Sequence, residues 1–324
     1  MSAIEYCEIT IEVFLNMQGQ IPFDVYIQLS PGKYTKIFNR NDMADRTRFE
    51  KYLKKGAISL FISRKDRREY IAATERFIRK IITQSVDKIS PQDASRAIEE
   101  LAEQTLFEIF EDKLFDENSL RIAQDIAKSY IQFLKSDPKI LTQFLQLCKN
   151  ETYMVRHSIT TTVIAVLIAK SASNENDRTL QIIGLGALLH DIGMAQISDE
   201  INELERKLSA EEWTIIKAHT QTGSDTLRGV KNFPEELANV IEQHHESYDG
   251  TGYPKGLKGE EIYYPARIVA IADCFSALTT RRGGRSLFTP EEAIALLLTE
   301  KRKYDPKLLV AFEDLLAPKK KKVA

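Results

Sequence analysis

Histidine is absent from residues 1–156 of this 324-residue chain. Other scarcities narrow the field as well. Three cysteines, Cys7, Cys148 and Cys274, stand far apart and form no CxxC pair. That excludes a disulfide framework and points to a reducing compartment. The longest apolar stretch, Val163 to Ala169, is far short of the roughly 20 residues needed to span a bilayer, so no membrane insertion is expected. A formal net charge of −2 offers no global attraction for nucleic-acid polymers, and an anionic substrate must be drawn by local charge. Residues 1–20 carry Glu5, Glu8 and Glu12 and lack the basic start and apolar centre of a secretory signal, so a cytoplasmic protein is expected. No internal repeat is visible, and the one biased tract is the lysine run Lys319 to Lys322, read as a solvated basic tail. With 43% hydrophobic and 28% charged residues, the composition is that of a globular protein long enough for two domains.

All five histidines fall between His157 and His245. They read as His157 alone, the doublet His190-Asp191, His219 alone and the pair His244-His245, with Asp273 at a similar interval beyond. Neutral imidazole is a common transition-metal ligand, and carboxylates bridge metals well. Five imidazoles with two carboxylates exceed the needs of one structural zinc and suit a two-metal site. Two metals roughly 3.5–4 Å apart are the usual device for in-line phosphoester hydrolysis. A lone histidine is more often a packed or surface residue. The combination of His-Asp, His-His and a downstream Asp is what favours metal. The spacing is too wide for a zinc-finger or zincin pattern.

Around this cluster the periodicity changes along the chain. Residues 6–15 alternate loosely and predict a strand. Phe23 to Leu29 and Tyr34 to Phe38 predict two more strands around Ser30-Pro31-Gly32-Lys33, and Ile58 to Ser63 another. Residues 44–55 predict a helix stopped by Gly56. This small α/β module is either sensory or partner-binding, or a packing domain. Residues 66–136 are mostly helical, with apolar positions at Ala97, Leu101, Leu106, Ile109 and Phe110, then Ile122, Ile126, Tyr130 and Phe133; Ser90-Pro91 opens one helix. Such a connector can carry dimer contacts, although core packing is the commoner use of an apolar stripe. Beyond it, helices are expected at 139–149, 153–172, 178–190, 210–227, 234–246, 264–280 and 290–299. The fold class expected is therefore α+β, a small N-terminal α/β module followed by an all-α domain. The boundaries are 1–87 for the module, 88–138 for the connector, 139–318 for the helical domain and 319–324 for the tail.

Leu188 to Gly193 is an apolar helix ending in the pair His190-Asp191. His244-His245 is expected on a second helix, followed by a tight loop from Glu246 to Leu257 with three glycines and a proline. Such a loop can turn backbone N–H groups and the Tyr253 hydroxyl toward a phosphate; read more plainly, it is a helix cap and turn. Together with Pro265-Ala266-Arg267-Ile268 and Ile271-Ala272-Asp273, these segments resemble the HD-GYP family. Its members are all-helical phosphodiesterases of the HD superfamily that hydrolyse the bacterial messenger cyclic di-GMP. The resemblance covers roughly residues 140–316.

Carried onto this chain, the resemblance implies one metal held by His157, His190 and Asp273, and a second by His219, His244 and His245. Asp191 would be the catalytic bridge between them, and a hydroxide bridging the two metals would attack phosphorus. The metals would be iron, with manganese as the alternative. Gly252, Tyr253, Arg282 and Arg285 would contact substrate, and the products would be linear pGpG and/or GMP. The N-terminal module or the glycine-rich loop would serve any signalling partner, with room for oligomerisation. Three positions depart from the family pattern. Met194 stands where lysine is usual, Gly284 replaces a tyrosine between Arg282 and Arg285, and Tyr153 stands where members with a third metal carry glutamate. Two metals are therefore expected, within a weakened substrate shell. Three readings follow: an attenuated phosphodiesterase, a cyclic di-GMP-binding scaffold that keeps its metals, and a hydrolase for another nucleotide phosphoester.

Overall fold

The computed structural model describes residues 6–9, 11, 14, 19–53, 59–83, 91–136, 153–173, 175–198, 208–280 and 287–316. The helix expected at 139–149, the segment Arg282 to Arg285 and the lysine tail lie outside these residues. The chain divides into two compact units, Met1–Thr105 and Leu106–Ala324. The division falls in the stretch expected to connect the domains.

The first unit is built on four antiparallel strands, β1 (Tyr6–Ile9), β2 (Val25–Ser30), β3 (Lys33–Phe38) and β4 (Leu60–Ser63), in the order β1-β4-β2-β3. Cys7 pairs with Ile62 and Ile9 with Leu60. Alternation sends these four, with Val25 and Ile27, into the core. The opposite face carries Tyr6, which stacks on Tyr34 at 4.1 Å between centroids, and Phe61, edge-on to Tyr34 at 5.1 Å. Three helices belong here: α1 (Arg46–Leu53), α2 (Arg67–Thr83) and the start of α3 (Pro91–Phe110). Pro91 opens α3 at its first turn, where its missing N–H costs nothing. The strand expected over 6–15 is shorter than its alternation implies. It ends at Ile9, and residues 11 and 14 are helical.

The second unit is helical among the described residues. After α3 come α4 (Glu117–Ser136), α5 (Tyr153–Ala172), α6 (Asp177–Leu189), a 3-10 turn (Ile192–Gln196), α7 (Ala210–Lys217), α8 (His219–Arg228), α9 (Glu235–Gln243), α10 (Tyr264–Thr279), α11 (Pro290–Thr299) and α12 (Pro306–Leu316). Helix α5 carries no charge from His157 to Ala169, and every one of those residues is buried. A helix uncharged and buried on all sides belongs at the centre of a bundle; α6, α10, α12 and α4 pack around α5. Asn176 caps α6 through its side chain, and capping boxes at Ser209 and Thr289 start α7 and α11. No helix among the described residues is long and apolar enough to cross a membrane.

Candidate metal centre

Three helix ends meet at the centre of this unit, and each is closed by a histidine. Helix α6 stops at Leu189, and the next ring, His190, places Nδ1 2.8 Å from the Ala187 carbonyl. Helix α9 stops at Gln243, and His244 Nδ1 lies 2.7 Å from the Ile241 carbonyl. Helix α7 stops at Lys217, and His219 Nδ1 lies 2.6 Å from the Ile216 carbonyl. The rings of His190 and His244 occupy C-terminal carbonyls at the helix ends, and His219 shares the Ile216 carbonyl with the Ala218 N–H. A carbonyl only accepts, so each Nδ1 is the donor. The proton therefore sits on Nδ1, and the Nε2 lone pair is free to face inward.

Those Nε2 atoms converge. His157 and His190 approach to 3.2 Å, and so do His219 and His244. Between two rings fixed as Nδ1–H tautomers, as His219 and His244 are, this spacing sets lone pair against lone pair. That is unfavourable without a shared cation. Asp191, just past the end of α6, lies between the two pairs. Its Oδ2 is 3.4 Å from His190 Nε2 and 3.8 Å from His157 Nε2. Its Oδ1 is 3.3 Å from His219 Nε2 and 3.8 Å from His244 Nε2. Asp273, on α10, turns Oδ1 to His157 at 3.0 Å and Oδ2 to His245 Nδ1 at 3.7 Å. Two groups can each hold a metal ion: His157, His190 and Asp273 in one, and Asp191, His219, His244 and His245 in the other. Within each, one ligand atom per residue lies within 4.8 Å of all the others. The buried Nδ1 of His157 has no hydrogen-bond partner among the described residues. The donor set and its spacing thus fit two cations.

The electrostatics run the same way. Burial works against ionisation of Asp191, but the facing His190 and His219 outweigh it and hold the carboxyl well below its usual range. Asp273 is held down likewise by His157 and His190, against burial. Burial disfavours a charged His190, yet Asp191 and Asp273 raise it well above the ordinary value, so a metal bound there would displace a proton from its Nε2. Burial, with His245 and His190 nearby, lowers His244 well below it. Burial pushes His245 down to about 4, against the pull of Asp273.

Close backbone approaches set this geometry. A Cβ on Gly193 would collide with the His219 carbonyl and come 2.7 Å from the Gly223 nitrogen. Only glycine lets the turn after Asp191 lie against α8. A Cβ on Gly186 would come 2.6 Å from Val240, so this glycine allows α6 and α9 to close. On the other flank, Ser276 Oγ of α10 donates to the His157 carbonyl at 3.2 Å and ties Asp273's helix to α5. The loop after His245 folds back on the centre. Glu246, buried, accepts from Lys255 N at 2.7 Å and Leu257 N at 3.0 Å. Gly252 lies against the backbone of residues 245–247, where a Cβ would come 2.5 Å from the His245 carbonyl. That brings the Tyr253 ring to 4.9 Å from the His245 ring. Burial, then Asp191 and Asp273, raise the Tyr253 hydroxyl far above its usual pKa, so it stays protonated. Tyr153 stacks on His157 at 5.3 Å.

All seven expected metal ligands thus converge, with Tyr253 and Gly252 beside them. The expectation that His244 and His245 lie on a helix needs correction. They occupy the turn after α9, because His244 takes the Ile241 carbonyl. The expected continuous helix 210–227 is likewise broken at Ala218. Sequence reasoning quoted Gly193 and Glu246 without giving either a role, and it missed Gly186, Gly223 and Ser276. Of these, only Gly193, next to the His-Asp pair, carried a local signal.

The HD domain family profile matches residues 123–308. The chain is 37% identical over 150 residues to the cyclic di-GMP phosphodiesterase response regulator RpfG of Xanthomonas campestris pv. campestris, across 46% of this chain and 39% of that protein. It is 37% identical over 123 residues to the 3'3'-cGAMP-specific phosphodiesterase 2 of Vibrio cholerae, across 37% of this chain and 24% of that protein. The chain therefore spans less than half of either relative. Among solved structures, Bd1817, an HDG"Y"P protein from Bdellovibrio bacteriovorus, shares the fold with a TM-score of 0.68 over 97% of this chain and 100% of that one, at 23% identity.

Proposed function

The chain belongs to the HD domain family, and from that premise we propose that it is a dimetal phosphodiesterase that opens cyclic di-GMP to linear pGpG and/or GMP. The observation that carries the reading is the divided carboxylate of Asp191, one oxygen toward each histidine pair. His157, His190 and Asp273 would hold one metal and His219, His244 and His245 the other, with Asp191 common to both. The family resemblance implies iron, with manganese as the alternative, and a mixed imidazole and carboxylate shell suits such metals. When bound, two such cations polarise phosphoryl oxygens and acidify water enough to supply a nucleophile at neutral pH.

The chain's own residues do the rest. The carbonyl-bound Nδ1 atoms of His190, His219 and His244 keep three donors aimed inward without reorganisation. Tyr253, held protonated, is a hydrogen-bond donor to a phosphate oxygen. Arg282 and Arg285 are proposed phosphate contacts from the segment after α10, where their planar donor forks suit the anion.

Met194 favours a second reading. A thioether neither neutralises nor protonates a phosphate, and a site without lysine there would bind a cyclic dinucleotide while turning it over slowly. The mixed dinucleotide 3'3'-cGAMP is the alternative substrate, since one relative is a 3'3'-cGAMP-specific phosphodiesterase. Anaerobically purified chain would be incubated with cyclic di-GMP and, separately, 3'3'-cGAMP, with linear products followed by chromatography. Metal-dependent product that Asp191→Ala abolishes is expected. Ligand binding without any product would establish the scaffold instead.

A further inference from the structure

We propose that Lys217 is a substrate-phosphate contact, a cation that restores the positive charge Met194 fails to provide. The inference rests on the phosphodiesterase reading and adds a recognition residue to it. Lys217 ends α7, two residues before His219. Its neighbour Ile216 is anchored through its carbonyl to the His219 ring, so the lysine leaves the backbone from a fixed point beside the metal centre. Its Nζ lies 5.2 Å from the centroid of the Tyr253 ring, and that ring lies 4.9 Å from His245.

Two features set this lysine apart. The first is that its charge is uncommitted. Nearby Lys255 is tied to Glu242 at 2.9 Å, and Lys303 to Glu300 at 3.0 Å. Lys217 makes no side-chain hydrogen bond or ion pair among the described residues, and it is exposed. The second is its position over the ring of the tyrosine whose hydroxyl is the proposed phosphate donor. An aromatic face attracts an ammonium group weakly at an exposed site, enough to bias the side chain toward the centre without quenching its charge. A phosphate oxygen beside Tyr253 would then meet a neutral donor and a compact cation together. Lysine serves this role as a point charge, without the paired geometry arginine needs.

The test uses the full chain prepared anaerobically with its metals. Binding of a phosphorothioate analogue of cyclic di-GMP is measured by calorimetry at low and high salt, alongside steady-state hydrolysis of cyclic di-GMP. Lys217→Gln is expected to weaken analogue binding by about 10-fold, the size of one charged hydrogen bond. It should raise KM correspondingly, flatten the salt dependence of binding and leave the metal content unchanged. Lys217→Arg should recover most of the affinity. Wild-type binding with an unaltered Lys217→Gln variant would overturn the lysine's role and leave the phosphodiesterase reading standing. Failure of the wild-type chain both to bind the analogue and to hydrolyse cyclic di-GMP would overturn that reading, and the inference with it.

Discussion

Gly193 shows how much of this centre depends on single atoms. Its missing side chain lets the turn after Asp191 press against the His219 carbonyl and the Gly223 nitrogen. Gly193→Ala forces that contact apart and displaces both Asp191 and His219. A loss of about 1–3 kcal/mol in stability is expected together with reduced metal content, read by thermal unfolding and elemental analysis of one preparation. A variant that keeps full metal at wild-type stability would contradict the account. Met194 makes the opposite kind of prediction. Met194→Lys should raise kcat/KM on cyclic di-GMP by about 10-fold, equivalent to about 1.4 kcal/mol of transition-state stabilisation. An unchanged or lower value would mean that position 194 does not face the phosphate.

At the scale of elements, the recurring device is a helix end met by the ring of a histidine from the candidate metal centre. It explains what the sequence made legible and what it hid. The boundaries of α5 and α11 follow from an unbroken apolar run and from a Thr-Pro start with glutamate in the first turn, and both were readable. The break at Ala218 has no glycine or proline to announce it, because it arises when His219 takes the Ile216 carbonyl. The same capture by His244 ends α9 before the paired histidines. Helix α12 was not among the expected segments, although Pro306 at its start is a fair signal. The seven residues that converge at the candidate metal centre could be picked out by residue type and motif. Gly186 could not, since its role appears only when Val240 arrives from another helix. The loop that carries Tyr253 depends on Glu246, whose carboxylate holds two backbone N–H groups. Bonds from backbone N–H groups to a buried carboxylate are worth about 1.5–3 kcal/mol each. Glu246→Ala should accordingly speed amide hydrogen exchange at Lys255 and Leu257 and raise KM while sparing the metals. Unchanged exchange at both amides would show that the loop is held by other contacts.

At the scale of the whole molecule, stability should carry a pH signature from outside the metal centre. Glu99 on α3 is buried, and its Oε1 has no hydrogen-bond partner among the described residues. Burial raises its carboxyl from 4.5 to about 8, with Arg96 only partly opposing. The folded chain therefore keeps this proton up to about pH 8, whereas the unfolded chain releases it near 4.5. Stability should fall as pH rises through that window, by up to about 1.4 kcal/mol per pH unit, and level off above it. Glu99→Gln should flatten the slope and raise the melting temperature at neutral pH while matching wild type at pH 4. Parallel profiles for the two proteins would show that Glu99 is solvated. The central claim concerns the other unit: three histidine-closed helix ends, α5 and α10 present ligands for two cations that share Asp191. The most direct test is the metal content per chain, by elemental analysis of anaerobically purified protein, for wild type and Asp191→Ala. The account predicts about two metals in the wild type and loss of both when the shared carboxylate is removed. A wild-type chain with no bound metal, or a content that Asp191→Ala leaves unchanged, would contradict it.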